Sequence, residues 1–271
     1  MENIQLKVAI IGTGNIGGAI ARGLTKGSVV EKSSIMCADR SPELLAKLKA
    51  SQTDIHCTEN NKEAVQDADI VIIAVKPWVV KSVIEEIRTT LDYDRQIVVS
   101  IAAGVTFEQL LSYLDKPSDF DRTTPALFRV IPNTAIEALS SMTFVSACNA
   151  SEEQTDLILR IFGEMGNVFL VEERLMMAGT ALASSGIAFA LRYIRAAIEG
   201  GVELGFYPHE AQEIVVHTVR GAVELLLTNH SNPEQEIDRV TTPGGITIRG
   251  LNEMELSGFT SSVIRGLKAS Q

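Results

Sequence analysis

The first half of the chain alternates between two hydrophobic periodicities. Lys7-Val8-Ala9-Ile10-Ile11 is a short, nearly continuous apolar run, as expected of a central parallel strand buried on both faces. The turn Gly12-Thr13-Gly14-Asn15-Ile16-Gly17 follows at once, and Ile16, Ala19, Ile20, Gly23 and Leu24 then recur at helical spacing. Ser34–Ala38, Ile70–Val75 and Gln96–Ile101 predict further buried strands, and Met142–Val145 and Asn167–Leu170 two more that extend the sheet. Ser41-Pro42 supplies an N-cap hydroxyl and a proline at the first helical position. Thr106–Gln109 and Ser151–Gln154 carry capping-box spacing, which is structural only. This rhythm predicts an α/β fold with a Rossmann-type, doubly wound parallel sheet.

Around Glu172 the pattern changes, and strand signals nearly vanish. Leu175–Leu204 carries Ala178, Ala181, Leu182, Ile187, Leu191, Ile194 and Ile198, with small residues on nearly every side. A continuous helix there would run to ~40 Å and be buried on most faces. Pro208 begins another helix, with Ala211, Val215, Val219, Ala222 and Leu226 on one stripe, and Asn232-Pro233 a shorter one. The expected division is a dinucleotide-binding domain over residues 1–168 and an all-helical dimerisation and substrate-binding domain over residues 169–271. The long helix suggests a homodimer, with a single-chain bundle as the alternative. Arg192, Arg195 and Glu199 argue against a membrane span.

Composition narrows the classes. With 45% hydrophobic and 21% charged residues the chain is an ordinary globular protein. Its formal charge of −10 argues against nucleic-acid binding, because no basic face would neutralise phosphates. Cys37, Cys57 and Cys148 are odd in number and lack C-x-x-C spacing, which fits free thiols in a reducing compartment better than disulfides or a metal site. No cationic segment with a cleavable apolar stretch opens the chain, so a cytoplasmic location is expected.

A lone G-x-G-x-x-G is a weak signal. Here a strand precedes it, a helix follows, and Asp39 lies at the distance expected of an acidic ribose partner. Gly12 allows the tight turn, Gly14 the approach of a pyrophosphate, and Gly17 the packing of helix on strand. Asp39 favours the free 2′-hydroxyl of NAD, whereas Arg40 and Ser41 suit the 2′-phosphate of NADP. The choice stays open, with a lean to NADPH and NADH as the alternative. Ligands in such sheets bind beyond the carboxyl ends of strands. That directs attention to Ala74-Val75-Lys76-Pro77, to Ser100-Ile101-Ala102-Ala103-Gly104, and to Arg129-Val130-Ile131-Pro132-Asn133-Thr134. Lys76 is either a catalytic acid or part of a rigid turn lining a cofactor. Asn133 either orients a carboxamide or ribose, or forms a turn after Pro132.

Near the other end, Thr241-Thr242-Pro243-Gly244-Gly245-Ile246-Thr247 places two bare backbone positions among three hydroxyls, before an apolar helical pattern. That combination suits an anion and a hydrogen-bond acceptor at a helix N-terminus. The alternative is an ordinary Pro-Gly turn between helices.

Taken in order, Ile10–Gly17, Ala74–Pro77, Ser100–Val105, Pro132–Thr134, Ser185-Gly186, Gly200-Gly201-Val202 and Thr241–Thr247 resemble pyrroline-5-carboxylate reductase over nearly the whole chain. The resemblance implies a nucleotide-binding domain, a helical dimerisation domain and often a ring of dimers. It also implies NAD(P)H-dependent reduction of the cyclic imine of pyrroline-5-carboxylate to L-proline. The cofactor contacts expected are Gly12, Gly14, Asn15, Ile16, Gly17, Asp39, Arg40, Ser41, Asn61, Ala74, Val75, Lys76, Pro77, Ala102, Ala103 and Asn133. The family places the catalytic hydroxyl at the threonine after the paired glycines, here Thr247. The substrate carboxylate would then sit on the N–H groups of Gly244 and Gly245 and the following helix start, with Thr242 an added donor.

The chain departs from the family in several places. Where the family usually has a Gly-Ser-Gly-Pro-Ala-Tyr-like run, this chain has Ser184-Ser185-Gly186-Ile187-Ala188-Phe189. Ala135 replaces a common proline, and Arg192 stands where a less charged residue is usual. These differences put ring-size preference in doubt more than the reaction. Two rivals are a β-hydroxyacid dehydrogenase and a non-catalytic dinucleotide-binding protein. The first relies on a lysine in the helical domain, and residues 175–240 contain none. The second has no reason for Pro243–Thr247.

Overall fold

The computed structural model describes residues 6–115 and 124–271. It divides into a first compact unit ending at Ser184 and a second over Ser185–Gln271. The junction expected at 168–169 falls inside a strand of the first unit.

The first unit interleaves strands and helices. In chain order they are β1 (Val8–Ile11), α1 (Asn15–Leu24), β2 (Ile35–Ala38), α2 (Pro42–Ser51), β3 (His56–Thr58), α3 (Asn61–Val65), β4 (Ile70–Ile73) and α4 (Pro77–Ile87). Then come β5 (Ile97–Ser100), α5 (Phe107–Leu114), β6 (Ala126–Ile131), β7 (Ser141–Cys148), α6 (Glu152–Gly163) and β8 (Gly166–Leu170). The eight strands form one sheet in the order β3-β2-β1-β4-β5-β6-β7-β8. Every pairing is parallel except that between β6 and β7.

The strands are apolar on both sides because both faces are covered. Ile10, Ile35, Ile72 and Val99 join the core cluster that includes Ile20, Leu24, Ile158 and Phe162 of α1 and α6. Their neighbours Ile11, Ala38, Ile73 and Val98 face the other way, with Val80, Ile84 and Leu110 of α4 and α5. Caps define the helix starts: the Ser41 hydroxyl accepts the Leu44 N–H, and full capping boxes form at Thr106–Gln109 and Ser151–Gln154. The edge strand β3 and the short helix α3 carry too few apolar residues to show in the hydrophobic pattern, and Asn60 caps α3 through two backbone N–H groups.

β6 begins earlier than the loop reading of Arg129–Thr134 implies. Arg129, Val130 and Ile131 are strand residues, and the turn starts at Pro132. Arg129 is a cation inside a fully buried strand. Its Nη1 donates to Glu173 Oε1 at 2.7 Å, the same oxygen that accepts the Phe107 N–H at 2.6 Å. The pair fastens the start of α5 to the segment that leaves the sheet.

The long helix expected over Leu175–Leu204 is interrupted. It comprises α7 (Met176–Gly179), a π-helical segment Thr180–Ser185, and α8 (Gly186–Glu203). Side chains from the sheet unit engage the widened turn: Asn133 Nδ2 donates to the Ala183 carbonyl at 3.4 Å, and Ser184 Oγ to the Pro132 carbonyl at 2.9 Å. Such outside partners for helical backbone and side-chain groups accompany π-bulges. Gly179 sits against Phe144, whose ring a Cβ would approach to 2.7 Å.

The second unit adds α9 (Pro208–Asn229), α10 (Pro233–Val240), α11 (Ile246–Leu256) and α12 (Phe259–Lys268). No residue of α8, α10, α11 or α12 is buried, and in α9 only Ala211 is. The helical stretch Glu173–Glu203 includes an 18-residue window of mean hydropathy 1.3, long and apolar enough to cross a membrane by length and composition.

Candidate functional site

At β1 the strand order reverses, since β2 pairs on one side and β4 on the other. A crevice of about 430 Å³ opens beyond the carboxyl ends of these two strands. The loops that leave them form its walls.

Glycine geometry shapes the first wall. Gly12 has φ +97°, and a Cβ there would stand 2.6 Å from the Ala74 carbonyl oxygen. No other residue type fits without moving β4. A Cβ at Gly17 would lie 2.0 Å from the Gly12 oxygen, so α1 packs directly onto the turn. Gly14 instead has nothing within 4 Å of its missing Cβ. It is the N-cap of α1, which has no side-chain cap and no acidic residue in its first turn. The first N–H groups and the positive end of the helix dipole are thus offered to an anion. This cradle fits a dinucleotide diphosphate.

Ala74, Val75, Lys76 and Pro77 form the opposite wall, and Ala102 and Ala103 close one side. Asn15, Ile16, Asp39, Arg40 and Asn61 also line the crevice. Asp39 is already engaged by the fold. Its Oδ2 accepts the Thr13 N–H at 2.6 Å and the Thr13 hydroxyl at 3.0 Å, and its Oδ1 the Ser41 N–H at 2.9 Å. The carboxylate therefore ties the glycine turn to the end of β2. Arg40 donates from Nη2 to Glu86 Oε2 at 3.0 Å, and Asn61 Nδ2 reaches the same oxygen at 3.2 Å.

Three expected contacts lie off the crevice lining. Gly17 serves packing, and the Ser41 hydroxyl caps α2. The Asn133 amide is spent on the Ala135 N–H and the Ala183 carbonyl. The sequence reading missed Leu44, Val79 and Val83, which supply apolar lining. Val79 and Val83 are one helical turn apart on α4, but the core stripe of the same helix masks that signal. Cys37, two residues before Asp39, does not line the crevice, and burial pushes its thiol up.

In the second unit, Thr242-Pro243-Gly244-Gly245 is a tight turn closed by the Gly245 N–H donating to the Thr242 carbonyl at 2.9 Å. Gly244 has φ +72° after a proline, the arrangement of a type II turn. A Cβ at Gly245 would stand 2.6 Å from the Thr242 hydroxyl, which would have to turn away to admit it. The turn reading holds, and the turn leads directly into a helix start. One detail is corrected: the Gly245 amide is committed to the turn and is not a free donor. Gly245 is the N-cap of α11, again with no side-chain cap and no acidic first turn. The N–H groups that α11 presents are those of Ile246, Thr247 and Ile248. Thr247 is exposed there, and Arg249 Nε holds the Gly245 carbonyl at 3.3 Å.

Comparison with known proteins follows the same division. A family model described as "Pyrroline-5-carboxylate reductase dimerisation" matches residues 173–271. One described as "NADP oxidoreductase coenzyme F420-dependent" matches residues 7–104. Pyrroline-5-carboxylate reductase 2 of Dictyostelium discoideum is 36% identical over 97% of this chain and 90% of its own length. Pyrroline-5-carboxylate reductase 1 of the same organism is 35% identical over 97% of this chain, which spans 48% of that longer protein. The crystal structure of Plasmodium falciparum pyrroline carboxylate reductase with NADP bound superposes with a TM-score of 0.87 at 24% identity, covering 98% of this chain and 95% of that one. At that identity the likeness is one of fold.

Proposed function

The chain belongs to the pyrroline-5-carboxylate reductase family, and on that footing we propose that it reduces the C=N bond of 1-pyrroline-5-carboxylate to L-proline with NAD(P)H, the last step of proline biosynthesis. The observation that carries this reading is that each unit has an uncapped helix start preceded by a glycine turn. One opens onto the dinucleotide crevice and the other stands behind Pro243-Gly244-Gly245.

The bound nicotinamide supplies hydride chemistry. The chain's own residues bind and orient. The uncapped start of α1 neutralises the diphosphate, and Gly14 leaves it room. At the other turn, the N–H groups at the start of α11 and that of Gly244 hold the substrate carboxylate, with the Thr242 hydroxyl beside them. The Thr247 side chain addresses the ring nitrogen, holding the proton that makes the imine a better hydride acceptor. No charged general acid is needed if the imine arrives protonated.

NADPH is the favoured cofactor in this reading, because Arg40 is 72% exposed at the crevice and its exposed pair with Glu86 can open to a 2′-phosphate. The exposed apolar helices support a homodimer, and family membership extends this to a ring of dimers. We read the apolar stretch Glu173–Glu203 as part of that subunit interface and not as a membrane span, and place the enzyme in the cytoplasm without a nucleic-acid partner. The altered run Ser184–Phe189 supports acceptance of a six-membered homologue of the substrate.

The test is pyrroline-5-carboxylate-dependent oxidation of NADPH. Thr247→Ala is expected to lower kcat by about 100-fold, the lower end of the range for a positioned proton-handling group, with the Kd for NADPH unchanged. No turnover by a wild-type protein that binds NADPH would sink the reductase reading. A variant that loses cofactor affinity but keeps kcat would reject the role given to Thr247.

A further inference from the structure

Glu86 is not a lining residue of the crevice, yet two side chains that do line it, Arg40 and Asn61, are bonded to its carboxylate. It lies in the last turn of α4, and its side chain is 31% exposed. Oε2 accepts Arg40 Nη2 at 3.0 Å and Asn61 Nδ2 at 3.2 Å. Asn61 is buried at the first position of α3, so its amide is fixed and helps aim the carboxylate toward Arg40. Arg40 follows the end of β2, the position that meets the ribose next to the adenine in this fold. Arg40 therefore already has a counter-ion.

We propose that Glu86 is a specificity-determining residue for the nucleotide, acting through Arg40 to limit how strongly the enzyme prefers the 2′-phosphorylated cofactor. The inference rests on the nicotinamide-nucleotide reading above. A 2′-phosphate and the Glu86 carboxylate compete for the same guanidinium, whose fork can satisfy one anion well but not two in one plane. The pair is largely solvated on the Arg40 side, so it is weak enough to be opened and the phosphorylated nucleotide still binds. An unphosphorylated ribose makes no demand on Arg40 and leaves the pair intact. Glu86 thus opposes one cofactor and not the other, which keeps both usable. It stands outside the crevice lining, so its effect belongs to the choice between the nucleotides and not to the hydride step.

The experiment measures Kd for NADPH and for NADH by titration of nucleotide fluorescence, without substrate and at low salt, in wild type, Glu86→Gln, Arg40→Ala and the double variant. Glu86→Gln is expected to tighten NADPH about three- to fivefold, the scale of an exposed ion pair, and to change NADH by less than about twofold. The NADPH gain is expected to fade in high salt and to vanish in the Arg40→Ala background. The proposal is overturned if Glu86→Gln leaves NADPH affinity unchanged or weakens it, if both nucleotides tighten equally, or if the full gain persists without Arg40. Because binding is read without turnover, a protein that fails to reduce pyrroline-5-carboxylate still decides this question. Failure of both nucleotides to bind wild type would remove the cofactor reading and this inference together.

Discussion

The two units of the chain solve the problem of hydrophobic burial in opposite ways. In the sheet unit the apolar residues meet one another: Ile10, Ile72 and Phe128 are fully buried, and two clusters cover the two faces of one sheet. In the helical unit, helices of comparable apolar content bury almost nothing, and Leu204 and Leu256 are 84% and 83% exposed. Apolar surface on that scale marks a partner surface in a globular protein. The sheet unit closes its own core and completes its crevice within one chain. The helical unit carries the Thr242–Gly245 turn on helices whose apolar faces stay exposed within one chain, in keeping with the dimerisation model that covers it.

Charge introduced on a helical face is the strongest way to break this contrast. Leu191→Arg in α8 places a cation on an exposed apolar face, and an uncompensated buried charge costs about 3–5 kcal/mol in an assembled interface. Sedimentation is expected to show smaller species, and turnover to fall by about 100-fold or more, while NADPH still binds the sheet unit. Unchanged mass and turnover would mean that this face is not an interface. The corresponding cut in the sheet unit is Ile72→Ala, expected to destabilise by about 3 kcal/mol in denaturant unfolding whatever the protein concentration. A concentration-dependent loss there would erase the distinction between the units.

Smaller effects sharpen it. Glu173→Gln removes the negative charge opposite Arg129, whose side chain is only 4% exposed. The expected loss is about 2 kcal/mol, below the range for a fully buried pair because Glu173 itself is 36% exposed. Recovery of stability in Arg129→Met/Glu173→Gln would confirm that the lone cation is the cause; no recovery would assign the loss to the Phe107 N–H instead. Glu164→Gln gives the smallest change, about 1 kcal/mol. Burial pushes the Glu164 carboxyl up, but the Ser28 N–H, the Ser28 hydroxyl and the Val29 N–H outweigh it and hold the group below the usual range. With the folded value depressed, the stabilisation is present above the unfolded glutamate pKa and lost as pH falls through the folded one. Urea midpoints of wild type and Glu164→Gln are therefore expected to converge toward acid; a constant gap down to low pH would contradict that linkage.

Much of the sheet unit is legible without coordinates because its signals are local. The run Lys7–Ile11, the glycine turn and the helical spacing after it lie within one short segment, and each reports the same βα unit. Turn chemistry is equally local: Ser41-Pro42, Thr106–Gln109 and Ser151–Gln154 cap helices in the structure as their spacing implies. What misleads is any residue whose partner is remote. Arg129 reads as a loop charge because nothing near it in sequence hints at Glu173. The π-helical turn at Thr180–Ser185 is invisible because its partners, Asn133 and Pro132, are about 50 positions away.

The candidate site divides along the same line. Residue type marks the glycines at 12, 14, 244 and 245, since bare backbone before a helical pattern is a local signal, whereas the roles expected of Thr242 and Thr247 come from the family resemblance. The amino-acid sequence thus determined the fold class, the family and the positions of the two glycine turns. Tertiary structure decided what each polar group is free to do. Asp39 is bound to Thr13 and Ser41, the Asn133 amide to Ala135 and Ala183, the Gly245 amide to the Thr242 carbonyl, and Arg40 to Glu86. A sequence shows which donors and acceptors exist, because those follow from covalent chemistry. It does not show which are already satisfied, because a hydrogen bond needs its two atoms within about 3 Å of each other, and only the packed chain sets that distance.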